Sequence, residues 1–113
     1  MKDFLIKNNY KLYGEEKDEF GITQKYQKRV DADYPEYPLC ACNDKLFINI
    51  DFYAFTIGDI NSRSASIFLV HGNNKGEWCD IKIYGLKETD VLSKLYRLEL
   101  KVMDMWKVFY EGI

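Results

Sequence analysis

Four side chains in this 113-residue sequence could ligate a soft metal ion or serve as nucleophile and base: Cys40, Cys42, His71 and Cys79. Cys40 and Cys42 lie in YPLCACND, straight after Pro38, while His71 opens the segment HGNNKGEW and Cys79 directly follows it. A Cys3His zinc site would need His71 and Cys79 to meet across one hairpin loop, with the Cys40 corner lying over that end. The spacing argues otherwise. C-x-C is tighter than the usual two to four intervening residues, and the other two ligands form no second knuckle. Cysteine is also among the most buried residue types and packs as a small hydrophobe. YPLCACND therefore reads as a proline-stiffened corner feeding a strand. The expected cofactor and metal content is none, with zinc as the competing use of these four residues.

Catalytic constellations fare no better. Cys79, His71 and Asp80 supply the residue types of a thiol triad, yet consecutive strand residues point to opposite sides, so Asp80 should face away from Cys79. Acidic pairs occur in polar runs (Glu15, Glu16, Asp18, Glu19 and Asp31, Asp33, Glu36), which read as solvated surface. Gly72 and Gly76 suggest a phosphate cradle, but their loop joins two strands and lacks the glycine–Lys–Ser/Thr order of a P-loop. Asn and Gly are ordinary hairpin residues. No catalytic residue is expected, and the chain does not read as an enzyme.

The elements that would position these side chains follow from periodicity. FLIKNNYKLYG offers a short helical element capped by Asp3, with Gly14 and EEKDE as a loop after it. Phe20, Ile22, Tyr26 and Val30 share one parity against Lys25, Gln27 and Arg29, the pattern of a half-exposed strand, stopped by Pro35 and Pro38. KLFINIDFYAFTI (45–57) is the strongest strand, with Leu46, Ile48, Ile50, Phe52 and Ala54 on one face. SASIFLVH and CDIKIYG make two more, the second with Cys79, Ile81 and Ile83 on one side. Short connections favour an antiparallel meander.

From Glu88 to Tyr110 the period turns helical, with Thr89 or Asp90 as cap and Gly112 just past the end. Val91, Leu95, Leu98, Val102, Met105, Trp106 and Phe109 share one face, and Leu92, Tyr96, Leu100, Met103 and Tyr110 widen it sideways, interrupted by Glu99. That arc exceeds the stripe one sheet contact needs. The flank then calls for a cover: the N-terminal segment, a second subunit or a partner. The expected fold is a single α+β domain over 1–113, a four-stranded antiparallel sheet with the long C-terminal helix on one face and a short N-terminal helical element.

Composition bounds the partners. Net charge is −2, without the basic excess that phosphate backbones demand. There is no apolar run of membrane-spanning length, and the acid and polar residues of MKDFLIKNNYKLYG break up any signal-peptide core, which points to the cytoplasm. Three cysteines suit reduced thiols. Nine tyrosines in 16% aromatic residues suit wet interfaces, since Tyr buries area while keeping a polar tip. With the helix on the Ile48 side, Phe47, Tyr53, Phe55, Trp78 and Tyr84 would point away from it. These aromatics could stack single-stranded bases, but Asp51 and Asp80 on the same face favour a protein contact or, equally, cover by the N-terminal segment through Phe4, Leu5, Tyr10 and Tyr13. The expected partner-binding residues are Tyr53, Phe55, Trp78 and Tyr84 on the outer face, with Tyr96, Met103 and Tyr110 on the helix flank.

The segments YPLCACNDKLFINI, WCDIKIYGL and MWKVFYEGI resemble those of small accessory proteins of bacteriophages and mobile elements. The resemblance implies stoichiometric binding of a host protein, in some cases inhibition of defence systems such as CRISPR effectors, and it carries no residue roles. The function expected from the sequence is thus a non-enzymatic protein-binding module of phage type, acting as inhibitor or adaptor, or else a homodimer. The alternative is a small zinc- or single-stranded-nucleic-acid-binding domain.

Overall fold

The computed structural model describes residues 2–38, 44–55, 63–73 and 75–112. Cys40 and Cys42 fall outside them. The described elements are α1 (Lys2–Lys7), β1 (Lys11–Lys17), β2 (Gly21–Arg29), β3 (Lys45–Phe55), β4 (Arg63–Asn73), β5 (Gly76–Lys87) and α2 (Glu88–Glu111). The sheet is a fully antiparallel meander in chain order, β1-β2-β3-β4-β5. It has five strands where the sequence suggested four.

The added strand is KLYGEEK, where the sequence suggests the end of the helical element (Lys11, Leu12, Tyr13) followed by a loop from Gly14. It carries almost no alternation because all but Gly14 are exposed, so nothing in its hydropathy marks it. A turn builds it instead. Asp18 Oδ1 accepts from the N–H of Phe20 and of Gly21 (2.8 and 2.7 Å), and Asp18 N–H donates to Gly21 O. This local carboxylate-to-backbone bonding folds β1 back on β2. Glu16 then meets Lys25 across the pair at 3.1 Å, and a bulge between Leu12 and Gly14 twists the edge.

One face of the sheet and one stripe of α2 make the core. Leu46, Ile48 and Ile50 on β3, Ala65, Ile67 and Leu69 on β4, and Tyr26 on β2 are buried under Val91, Leu95, Leu98 and Val102. The alternation read from the sequence along β3 holds throughout. α2 follows β5 directly from an extended Lys87, without the side-chain cap expected from Thr89 or Asp90, while Glu88 and Asp90 place acid in its first turn. Gly112, at φ 79°, closes it as anticipated. The N-terminal helical element is confined to α1, and Leu5 and Tyr10 bring the segment into the core.

Two ties hold part of the broad flank of α2 and leave Tyr96 and Leu100 exposed. The Tyr10 hydroxyl donates to Glu99 Oε1 at 2.8 Å, and Lys28 Nζ, which stands over the Tyr10 ring, bonds the same oxygen at 2.7 Å. The second tie is a strap, residues 30–38, between β2 and β3. Tyr37 donates to Val102 O, Trp106 Nε1 to Pro35 O, and Tyr110 to Glu36 O. Tyr34 packs on both Tyr37 and Trp106. Asp31 anchors the strap, accepting from the Arg29 guanidinium and from Leu46 N–H.

Candidate interaction surfaces

β5 departs twice from a plain two-residue repeat. Leu69 pairs with Ile81 while Val70, the next residue, pairs with Cys79, so Asp80 is an extra residue bulged out of the ladder. A second extra residue is taken up at Tyr84–Gly85, where Gly85 has φ 67°. The first bulge inverts the expected orientation of everything before it. His71 pairs with both Leu46 and Trp78, which puts all three on the helix side of the sheet. Trp78 stacks on the His71 ring at 5.4 Å and 19°. Cys79, opposite Val70, points to the outer side.

Three sequence expectations change with that bulge. Trp78 does not belong to the outer face. Cys79 does not share a side with Ile81 and Ile83. Asp80 joins His71 on the helix side, with Nδ1 at 2.6 Å from Oδ2, and an acceptor carboxylate there places the ring proton on Nδ1. Asp80 does face away from Cys79, as the triad argument required. His71 and Cys79 lie on opposite faces, so they cannot close one metal shell as the zinc alternative needed. Among the described residues no group of three or more His, Cys, Asp or Glu side chains could hold a metal ion.

The outer face carries Phe47, Asn49, Asp51 and Tyr53 from β3, Phe68 and Val70 from β4, and Tyr84 from β5. α2 lies on the opposite side, yet Asn49 and Val70 are buried. Burial pushes the Tyr13 hydroxyl up, with Asp51 adding to the rise, Lys25 opposing it, and Glu77 and Glu16 adding further. Two glycines let side chains lie flat on this face. A Cβ on Gly72 would meet Glu77 Cγ at 2.9 Å, and one on Gly21 would meet the Tyr53 ring at 2.8 Å. The Tyr53 hydroxyl reaches Asp18 Oδ1 at 3.3 Å. Gln27 donates to Asn49 across β2 and β3.

The expected partner-binding residues therefore occupy separate places. Tyr53 and Tyr84 share the outer face, with Tyr84 65% exposed and edge-on to Phe68. Phe55 ends β3, and its side chain lies outside the described residues. Tyr96, Met103 and Tyr110 line the helix flank on the other side of the sheet. Tyr96 is 65% exposed, Met103 half-buried, and Tyr110 is engaged with the strap. Trp78, 50% exposed, stands apart at the β4–β5 hairpin.

Sequence reasoning passed over two surface features. Phe68 belongs to the outer face, and its parity within SASIFLVH would have found it. Phe109 lies on the stripe of Val91, Leu95, Leu98 and Val102, but α2 outruns the sheet and leaves it 64% exposed beside Val108. No helical periodicity reveals where a sheet ends. Among the described residues, no helix is long and apolar enough to cross a membrane. Comparison with protein families, curated proteins and solved structures returns no match for this chain.

Proposed function

We propose that this protein is a non-enzymatic binding module that works by stoichiometric contact with another protein. One observation carries the reading. The core is closed by the sheet, α2, Leu5 and Tyr10, and Tyr84, Tyr96 and Phe109 still stand about two-thirds exposed at 64–65%. Large aromatic side chains left out of a finished core are the residue type from which protein contacts are built. The half-buried polar centre of the outer face, with Asp51, Lys25 and Gln27, supports a protein ligand over a phosphate backbone, which would demand a basic excess. The resemblance to phage accessory proteins gives the class of partner: a host protein, such as a defence or CRISPR component, held as inhibitor or adaptor in the cytoplasm.

The test uses tagged protein in a bacterial cytoplasm, alongside Tyr84→Ala and Tyr96→Ala, whose exposed positions leave the core intact. A complex of fixed stoichiometry by light scattering, lost in one of the two variants, supports the reading and says which surface is used. A mass of twice 13.4 kDa for the protein alone, lost in Tyr96→Ala, would reassign that flank to self-association. Unaltered, partnerless monomer in every case would overturn it.

A further inference from the structure

We propose that the His71–Asp80 contact is a latch that holds β5 in one of two ladder registers and so decides which face of the sheet carries Trp78. The extra residue of β5 has two places to go. In the structure it is Asp80, bulged between the Leu69–Ile81 and Val70–Cys79 pairs. Asn73 then pairs with Gly76, leaving a two-residue connection whose second member is Lys75. Two-residue hairpins favour glycine or asparagine at positive φ. Gly76, the residue of this segment best suited to a positive φ, is instead spent inside the strand without one.

The sequence also fits a second arrangement. Sliding residues 76–80 by one against β4 pairs Asn73 with Glu77, Gly72 with Trp78, His71 with Cys79 and Val70 with Asp80. The connection becomes three residues ending at Gly76, the position such hairpins fill with a left-handed residue, and the bulge at Asp80 disappears. The extra residue has then migrated from Asp80 to Gly76. A one-residue slip moves every side chain in the segment to the other face. Trp78 and Asp80 would join Phe68 and Val70 on the outer side, and Cys79 would turn toward His71.

The glycine at 76 thus favours the slipped register, and specific contacts hold the observed one. The His71–Asp80 bond at 2.6 Å and the stack of Trp78 on the same ring exist only in the bulged ladder. Asn73 accepts from Lys75 N–H and donates to Asp44, which fixes the near end of the hairpin. Asp80 is a positioning residue here: it selects the register and touches no ligand. The consequence for recognition, an indole added to the outer aromatic face, rests on the binding reading above, whereas the latch is a property of the free chain.

The experiment is therefore run on the isolated protein by NMR. Wild type should give His71–Trp78 ring contacts. Asp80→Ala should lose them and gain contacts between the Trp78 ring and the Val70 methyls, its diagonal neighbour in the slipped ladder. Gly76→Ala supplies the counter-test. Its Cβ would meet nothing closer than the Trp78 ring at 3.9 Å in the observed register, but it would be strained at the left-handed position. Added to Asp80→Ala, it should restore the His71–Trp78 contacts. Retention of those contacts in Asp80→Ala would overturn the latch, as would a double variant that matches Asp80→Ala alone, or their loss in Gly76→Ala by itself.

Discussion

β3 and β5 are similar peptides, alternating large apolar residues with polar or aromatic ones, but they obey the strand repeat differently. β3 keeps its alternation over eleven residues without a shift against either neighbour, and β5 breaks it twice in twelve. The difference is in their neighbours. β3 is paired on both sides, so an extra residue would have to be matched in two ladders at once. Among the described residues β5 pairs with β4 alone, which leaves its other edge able to bulge. Interior strands have their facing dictated by the pattern of their residues; edge strands also have it dictated by single contacts such as His71 with Asp80.

The largest test of this contrast is a matched pair of truncations. Ile48→Ala, in the fully buried middle of β3, should lower stability by about 2–5 kcal/mol. Ile81→Ala, half-buried on β5, should cost about half as much or less, because a partly wet site leaves less cavity behind. Urea unfolding midpoints for the two would measure the gap, and equal values would show that both strands are held alike. Next in size is Gly85→Ala. Its Cβ would touch nothing within 4 Å, so the whole effect is the left-handed φ of 67°, about 1–2 kcal/mol for an L-residue. A shift of the thermal midpoint reads it. Silence there would mean that β5 re-pairs without its second bulge.

The smallest effect is a matter of pH. Burial raises Asp31, but the Arg29 guanidinium and the Leu46 N–H outweigh it and hold the carboxyl below its ordinary value. Depressed in the folded state, Asp31 stabilises the protein above the unfolded value of about 3.9, and that contribution drains away as pH falls below it. Asp51 on the outer face goes the other way: burial raises it, Lys25 opposes, and Glu16 adds to the rise. Its contribution is present at low pH and declines as pH climbs through its elevated folded value. Asp31→Asn should flatten the acid limb of a stability–pH curve, and Asp51→Asn should flatten the decline at higher pH. Interchanged outcomes would contradict both assignments.

What the residues disclosed in advance follows the same division. The inward set Leu46, Ile48, Ile50 and Phe52, the stripe from Val91 to Val102, and the stop at Gly112 were all legible, because each is a periodic pattern or a backbone requirement. β1 was not, since its register comes from the Asp18 turn and its side chains face water. Trp78 was assigned to the wrong face because parity counting has no means of seeing an inserted residue held by a histidine from another strand. The exposure of Phe109 escaped for a different reason: a helix pattern does not say how far the sheet beneath it extends.

The strap has a consequence for how this chain tolerates change. Its three long-range fastenings run from side chains of Tyr37, Trp106 and Tyr110 to main-chain oxygens of Val102, Pro35 and Glu36. A carbonyl is supplied by whichever amino acid occupies the position. Drift at residue 36 therefore leaves its fastening intact, whereas a Tyr-to-Phe change at 37 strips away a donor. Saturation mutagenesis along the exposed part of this clasp should be lopsided, more permissive at residues 35 and 36, within what the positive φ of Glu36 allows, than at 37 and 106, while Val102 is held by the core.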